Sequence, residues 1–251
     1  MTTRLLRRQR LYALAGAFIL PALWEAGGRS SWLRGVIPPL SEVIGQFLAP
    51  ENHAVFLDAL LHTADSAFRG YFIGILIGTL LAVMAQLGHW LRPGITRLAA
   101  IINATPVIAL GPVLLATMER QDLPIAVAAF FVFFSVFIAT LSGFAEVNQA
   151  HYDLFAVLDC PGNKRFFHLE LPACLPTFMS GLKVAAPAAM VGAIFGEWFG
   201  LDQGIGPLLI SAMQSDSIAL LWAATLMAGG FGILLFLVMS ALEKSVVARF
   251  R

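Results

Sequence analysis

Long apolar runs separated by short polar breaks set the first constraint on this chain. A helix needs ~20 apolar residues to cross the hydrocarbon core of a bilayer. The sequence offers about six such stretches, near residues 11–26, 67–87, 95–118, 123–144, 184–200 and 217–242. Pro21 lies in the first and Pro106 and Pro112 interrupt the third; membrane helices tolerate such breaks because neighbouring groups take up the freed backbone. Residues 27–66 are mixed: Ser41 is placed to cap a short helix over 42–48, and 52–61 reads as another short amphipathic piece. Residues 145–183 form a polar insert. Within it, 152–158 is apolar and helix-forming, Asp159-Cys-Pro-Gly162 makes a turn, and a second helix from Lys164 to Leu171 is ended by Pro172. The pattern predicts an all-α polytopic membrane protein. It is one transmembrane domain over 1–251, with a tail and first span at 1–26, a segment with short helices at 27–66, core spans at 67–242 and a polar tail at 243–251.

Composition agrees: the chain is 59% hydrophobic and 12% charged, too little polar surface for a soluble domain. The net charge of +1 gives no basic patch for nucleic acid, because the cations are scattered at span ends. Their distribution instead predicts orientation. One side holds Arg4, Arg7, Arg8, Arg10, Arg92, Arg97, Lys164, Arg165, Lys183, Lys244, Arg249 and Arg251; the other holds Arg29, Arg34, Arg69 and Arg120. The positive-inside rule puts the first group, both termini and the insert in the cytoplasm. The basic start resembles the opening of a signal peptide, but the following run shows no convincing small-residue cleavage site and reads as an uncleaved span. Cys160 and Cys174 fall in the insert, where a reducing compartment disfavours a disulfide.

Two series of small residues, Gly70, Gly74, Gly78 and Gly192, Gly196, Gly200, each mark one helix face for close packing in lipid. Candidate chemistry is sparse. The sequence contains no P-loop, no His-Glu-x-x-His and no Gly-x-Ser-x-Gly, and its five histidines are dispersed. Catalysis and metal binding by this chain have no sequence support. The insert is the better candidate: two short helices at an angle, one with an apolar face, form a knob that either docks a partner or folds back on its own spans.

The insert resembles the cytoplasmic loop of binding-protein-dependent ABC importer permeases, which has the form Glu-Ala-Ala-x3-Gly-x9-Ile-x-Leu-Pro. Aligned on Leu171-Pro172, Leu169 takes the Ile position, Asp159 the Gly position and Asp153 the Glu position, with Leu154 and Phe155 replacing the alanines. Asp159 for Gly is the non-conservative departure, and Pro161-Gly162 is placed to supply the turn instead. The similarity continues through Leu171-Pro-Ala-Cys-Leu-Pro-Thr-Phe-Met-Ser-Gly-Leu-Lys183, Gly196-Glu-Trp-Phe-Gly200 and Gly204-Ile-Gly206. It also takes in Ile37-Pro-Pro-Leu-Ser41, the segment from Thr63 to Gly78, and Pro106-Val-Ile-Ala-Leu-Gly-Pro112, in the family's order. The nearest branch is that of permeases for sulfonates, nitrate, taurine, thiamine-precursor pyrimidines or riboflavin.

The resemblance implies a type I importer fold in a bacterial inner membrane. The expected assembly has two permease chains, usually a homodimer, two ABC ATPase subunits that hold ATP and Mg, and a periplasmic or lipid-anchored solute-binding protein. No cofactor is expected on this chain. By similarity, Asp153, Leu154, Leu158, Asp159, Cys160, Pro161 and Gly162 face the ATPase, with Lys164 and Arg165 meeting acidic groups at its rim. Glu197 is an acid within or near the outer end of a span. It lines the pathway, pairs with Arg69 or Arg120, contacts the binding protein, or rests in interfacial water beside Trp198. Asn103 and Thr105, just before Pro106, face the pathway or bond between helices. Ser211, Gln214 and Ser215 are expected near the binding protein. The competing reading is a stand-alone secondary transporter or channel, for which Glu197 is the only sequence support.

Overall fold

The structure is a computed structural model that describes residues 18–30, 35–88 and 90–248. Helices are α1 (residues 18–29), α2 (Leu40–Leu48), α3 (Pro50–Leu87), α4 (Arg92–Ala104), α5 (Val107–Thr117) and α6 (Leu123–Ala145). They continue with α7 (Gln149–Val157), α8 (Gly162–Arg165), α9 (Leu171–Glu197), α10 (Ile205–Gln214) and α11 (Ile218–Val247), and no strand occurs among the described residues. Among the described residues four helical runs are long and apolar enough to cross a membrane: α3, Arg120–Ala145, Gly162–Glu197 and α11. Arg92–Ala104 and Ala109–Thr117 make a fifth if counted as one broken span, bent by 104°. Residues 11–17 of the first predicted run lie outside the described residues, as do Arg4, Arg7, Arg8, Arg10, Arg34, Arg249 and Arg251; the described part of that run is α1.

α6 is the centre. It carries no charged residue, and Pro124 sits in its first turn, where a missing N–H is harmless. Along it Val127, Ala128, Val132, Val136 and Phe137 are fully or almost fully buried. α3 and α9 flank it, and α11 packs on the far side of α9. Close approach comes from glycine. A Cβ on Gly70 would lie 2.5 Å from the Ala128 Cβ, one on Gly74 2.6 Å from the Val132 Cβ, and one on Gly78 2.5 Å from the Phe133 carbonyl. On the other side, a Cβ on Gly192 would lie 2.7 Å from the Ala128 Cα, and Gly196 abuts Pro124. Lipid gives helices no hydrophobic reason to associate, so dispersion over such close contacts holds the bundle. Gly200 does not extend the second series. It lies beyond the end of α9 with φ +101°, in a turn.

Four expectations about local structure change. Ser41 does not cap α2: the cap position is Pro39, and the Ser41 hydroxyl and N–H both donate to Glu25, each at 2.9 Å. The 52–61 piece is not separate but is the start of the 38-residue α3. No proline or glycine interrupts it before Gly70, and its polar groups pair one turn apart, as in Arg69 with Asp65 at 2.9 Å. Pro172 does not end a helix. α8, a wide π turn at Phe166–Glu170 and α9 form one 36-residue run, with Pro172 in the first turn of α9 and Pro176 and Pro187 inside it. The fifth span therefore begins inside the insert, which shortens to α7 and the following turn. Finally, Glu243 is not in a tail: α11 runs to Val247, and Glu243 accepts from Lys183 Nζ at 2.6 Å and from the Ser180 hydroxyl.

The glycine contacts predict a sharp contrast between two conservative substitutions. Gly74→Ala forces α3 off α6 and should destabilise the detergent-solubilised protein by about 1–3 kcal/mol, the usual cost of overpacking. Gly229→Ala, on α11 with nothing within 4 Å of the added methyl, should leave stability unchanged or raise it by up to about 1 kcal/mol, since alanine is the better helix former. Thermal unfolding of the two variants side by side checks this, and equal midpoints would contradict the packing described.

Candidate functional site

The bundle has two ends, distinguished here as the α7 end and the α10 end. At the α7 end the chain leaves α6 and forms α7, started by Asn148, whose side chain accepts the Ala150 N–H at 3.0 Å. α7 has no buried residue. Its apolar side chains point outward: Leu154 is 53% exposed, Val157 84% and Leu158 62%. Asp153, Pro161, Gly162 and Lys164 are exposed beside them, with Cys160 half-buried. Asp159 closes the turn after α7 with φ +49°. Aspartate enters this left-handed region more readily than most side chains, although glycine does so without strain. The turn thus sits at the position where the resembling loops have glycine. Pro161 and Gly162 do not make it; Pro161 is the cap of α8 and Gly162 its first residue.

Behind this surface lies a polar cluster that sequence reading missed. Glu170, on the π turn, is only 4% exposed. One of its oxygens accepts from Gln86 of α3 at 2.9 Å, the other from Arg165 at 3.2 Å. The Arg165 guanidinium also lies over the Tyr152 ring of α7, 5.5 Å from its centre. Burial first, then the charge of Glu170, pushes the Tyr152 phenol above its usual pKa. The cluster therefore joins α7, α8, the fifth span and α3. Arg165 pairs with Glu170 at 3.2 Å while remaining exposed, as Lys164 is. Glu170 stands five residues after Arg165, a spacing that faces away on a regular α-helix and comes together only on a π turn. Nothing in the sequence announced that turn.

At the α10 end Glu197 is 1% exposed. It does not meet Arg69, which pairs with Asp65. Its carboxylate takes the Gly206 N–H at 2.7 Å and the Thr63 hydroxyl, while the Thr63 oxygen accepts the Ile205 N–H at 2.8 Å. Gly204, at φ +116°, passes so close that a Cβ there would lie 2.5 Å from the carboxyl carbon. Glu197 and Thr63 together satisfy first-turn N–H groups of α10 and fasten that helix to α3 and α9. The Gly-x-Gly spacing was visible in the sequence; its partner Thr63 was not. Ser211 and Gln214 are exposed and share a cavity of about 440 Å³ with Asp58 and Asp202. Ser215 is also exposed, and its hydroxyl donates to the Ser211 carbonyl at 2.8 Å.

The third group, Asn103, Thr105 and Pro106, lies at the break between α4 and α5. All three line a cavity of about 380 Å³ with phenylalanines of α6 and α9. The Thr105 hydroxyl donates to the Ile101 carbonyl at 3.0 Å, a bond within its own helix. The structure thus keeps the predicted residues in three separate places rather than one site: the exposed surface of α7 and its turn, the α10 end with Glu197, and a cavity at the α4–α5 break.

Two substitutions test the α7 end. Asp159→Gly should be tolerated or stabilise by up to about 1 kcal/mol, because it relieves a left-handed side chain, whereas Asp159→Val should destabilise; thermal unfolding reads both. Glu170→Leu leaves Arg165 and Gln86 without their acceptor, a loss of about 1–3 kcal/mol. Amide hydrogen exchange across Gln149–Val157 should then speed up roughly tenfold, and unchanged exchange there would show that the cluster does not hold α7.

Comparison with known proteins places this geometry. The family described as binding-protein-dependent transport system inner membrane component matches residues 74–251. The formylaminopyrimidine transport permease protein ThiX of Halalkalibacterium halodurans is 25% identical over 189 residues, covering 75% of this chain and 75% of that one. The putative aliphatic sulfonates transport permease protein SsuC of Bacillus subtilis is 23% identical over 235 residues, covering 91% and 81%. Among solved structures, one titled as the crystal structure of an amino acid ABC transporter with histidines superposes with a TM-score of 0.65 at 14% identity. It covers 79% of this chain and 95% of that one, and shows a shared fold. The chain belongs to the binding-protein-dependent transport system inner membrane components, and is a multi-pass permease subunit of an ABC importer.

Proposed function

We propose that this chain, as one permease domain, forms half of the translocation pathway of an ATP-driven importer, paired with a second copy of itself. Two ABC ATPase subunits, which carry ATP and Mg, dock on α7 and the Asp159 turn; a solute-binding protein delivers cargo at the α10 end. The observation that carries this reading is the outward apolar face of α7, with Leu154, Val157 and Leu158 each more than half exposed outside the membrane-length runs. A short helix beyond the membrane gains nothing from such a face unless a partner covers it. Asp153, Cys160, Pro161 and Gly162 frame the contact, and Lys164 meets acidic groups at its edge. The sequence's uneven distribution of basic residues supports a cytoplasmic α7 end and cytoplasmic termini in a bacterial inner membrane.

The pathway runs past Asn103, Thr105 and Pro106. Glu197 serves it indirectly, by holding the outer helix α10 in place. Ser211, Gln214 and Ser215 form the surface toward the binding protein. Relatives named for a formylaminopyrimidine and for aliphatic sulfonates leave two cargo chemistries open, a heterocycle and an organic anion.

Co-expression with the candidate ATPase, followed by native mass measurement and ATP hydrolysis on the purified material, tests the assembly. Two permeases with two ATPases are expected, and Leu158→Asp should release the ATPase while leaving the permease folded. A chain that purifies alone and moves solute in liposomes without ATP would replace the importer by a stand-alone transporter.

A further inference from the structure

The π turn between α8 and α9 has a local cause. On a regular helix each N–H donates four residues back. Here the Leu171 N–H reaches the Phe166 carbonyl, five residues back. The next residue is Pro172, which has no N–H to give. On a regular helix its ring would also press on the carbonyl four residues back, that of His168, which lies within the turn. Widening the helix there relieves that collision, and it forfeits no bond from position 172, because Pro172 could not make one. Pro176 and Pro187 lie in α9 without widening it, so a proline is not sufficient. What distinguishes this turn is Glu170 at its end, 4% exposed, whose oxygens take Gln86 of α3 and Arg165. Pro172 weakens the regular helix at the place where the Arg165–Glu170 contact rewards a wide one.

The turn sets a phase. A π turn amounts to one extra residue in an α-helix, and such turns recur at functional sites. Were it regular, everything ahead of it would rotate by about 100° and slide by about 1.5 Å relative to α9. Arg165 would then face away from Glu170. Arg165 also lies over the Tyr152 ring of α7, so the angle of α7 depends on the same residue. The apolar side chains that α7 turns outward, Leu154, Val157 and Leu158, are aimed by this one turn.

We propose that Pro172 is a positioning residue for coupling to the ATPase. It keeps the turn wide, the turn sets Arg165 on Glu170, and Arg165 holds α7 at the angle at which its apolar face meets the partner. The proposal rests on the importer reading above and adds to it the element that sets the docking angle.

A substitution and a compensating deletion test it in the full-length chain. Pro172→Ala returns an N–H that can donate to the His168 carbonyl and close a regular helix. Capture of the candidate ATPase by the tagged permease should then fall by roughly tenfold or more, because the apolar anchors are aimed elsewhere. Amide exchange across Gln149–Val157 should speed up roughly tenfold. Deleting Phe167 in the same variant should restore both. Phe167 is 62% exposed, and without it Arg165 and Glu170 stand four apart and face each other on a regular helix. A proline needed only for stability would not be rescued by a second lesion. If Pro172→Ala aggregates on size exclusion, the double variant decides alone: it should capture the ATPase as the wild type does, with neither the proline nor the π turn. Unchanged capture in Pro172→Ala, or a double variant that stays defective, overturns the proposal. The wild-type chain separates the two readings. One that captures no ATPase removes the importer, while the exchange rates of α7 in the two variants still judge the turn.

Discussion

Contact between helix backbones on both sides of α6 is the constraint from which the remaining architecture follows. Gly70, Gly74 and Gly78 bring α3 against one face of α6, and Gly192 and Gly196 bring α9 against another. Since lipid is as apolar as the side chains it would replace, a membrane bundle has no hydrophobic gain to lose by loosening. Its cohesion depends on the number of atoms held at contact distance, and glycine raises that number by removing the atom that would keep two backbones apart. Tyr71 reinforces the same slab from the side, its hydroxyl donating across to the Leu182 carbonyl at 3.0 Å. Close-packed interiors deform little and pass displacements on, so α3, α6 and α9 behave as one body.

Both polar fastenings are mounted on that body. At one end Glu197 and Thr63 hold the first turn of α10; at the other Glu170 gathers Gln86, Arg165 and, through Arg165, Tyr152. Each uses a buried carboxyl group with donors from separate elements, the arrangement in which a buried polar group is tolerated. A push on α7 in the proposed importer would therefore reach α3 through Arg165 and Glu170 rather than dissipate in a loose loop. The Lys183–Glu243 pair extends the same logic to α11. Rigid-body transmission of this kind needs stiff joints near the point of loading, and the π turn supplies the geometry for one of them.

How much of this was legible in the sequence depended on whether the deciding contact was local. Apolar run length needs no partner to be read, so α3, α6, α9 and α11 could be placed from hydropathy, as could the glycine faces of α3 and α9. The Asp159 turn was half legible. The chain reversal was visible, but Pro161-Gly162 drew attention although the left-handed residue is Asp159 itself. Ser41 failed because its hydroxyl had a choice between its own helix and Glu25, sixteen residues back. Pro172 failed for a different reason. In water a proline in mid-helix is a strong stop signal, but in a membrane-length run the alternative is exposed backbone in lipid, which is worse. Glu170 was out of reach altogether, since its partner Gln86 is 84 positions away in the chain and Arg165 approaches it only through a π turn.

The broken span stands apart from the slab in both packing and chemistry. Among the described residues of α4 and α5 only Ala99 and Gly111 are buried, Gly111 against the Phe199 ring. An element held by so few buried contacts opens at lower free energy than the helices it leans on. It is also the place where a membrane-depth backbone is left incomplete, an arrangement tolerated only beside protein or a water-filled cavity. Stiffness in α3, α6 and α9 together with looseness in α4 and α5 creates a division of labour within a single chain. The slab joins the two polar fastenings, and the break leaves Asn103 exposed where the proposed pathway passes. A solute that met its binding groups on the slab would have to strain the most cohesive part of the molecule to leave. Under the proposed pathway past Asn103, Thr105 and Pro106, one that meets them at the break would be released by movement of the least cohesive part.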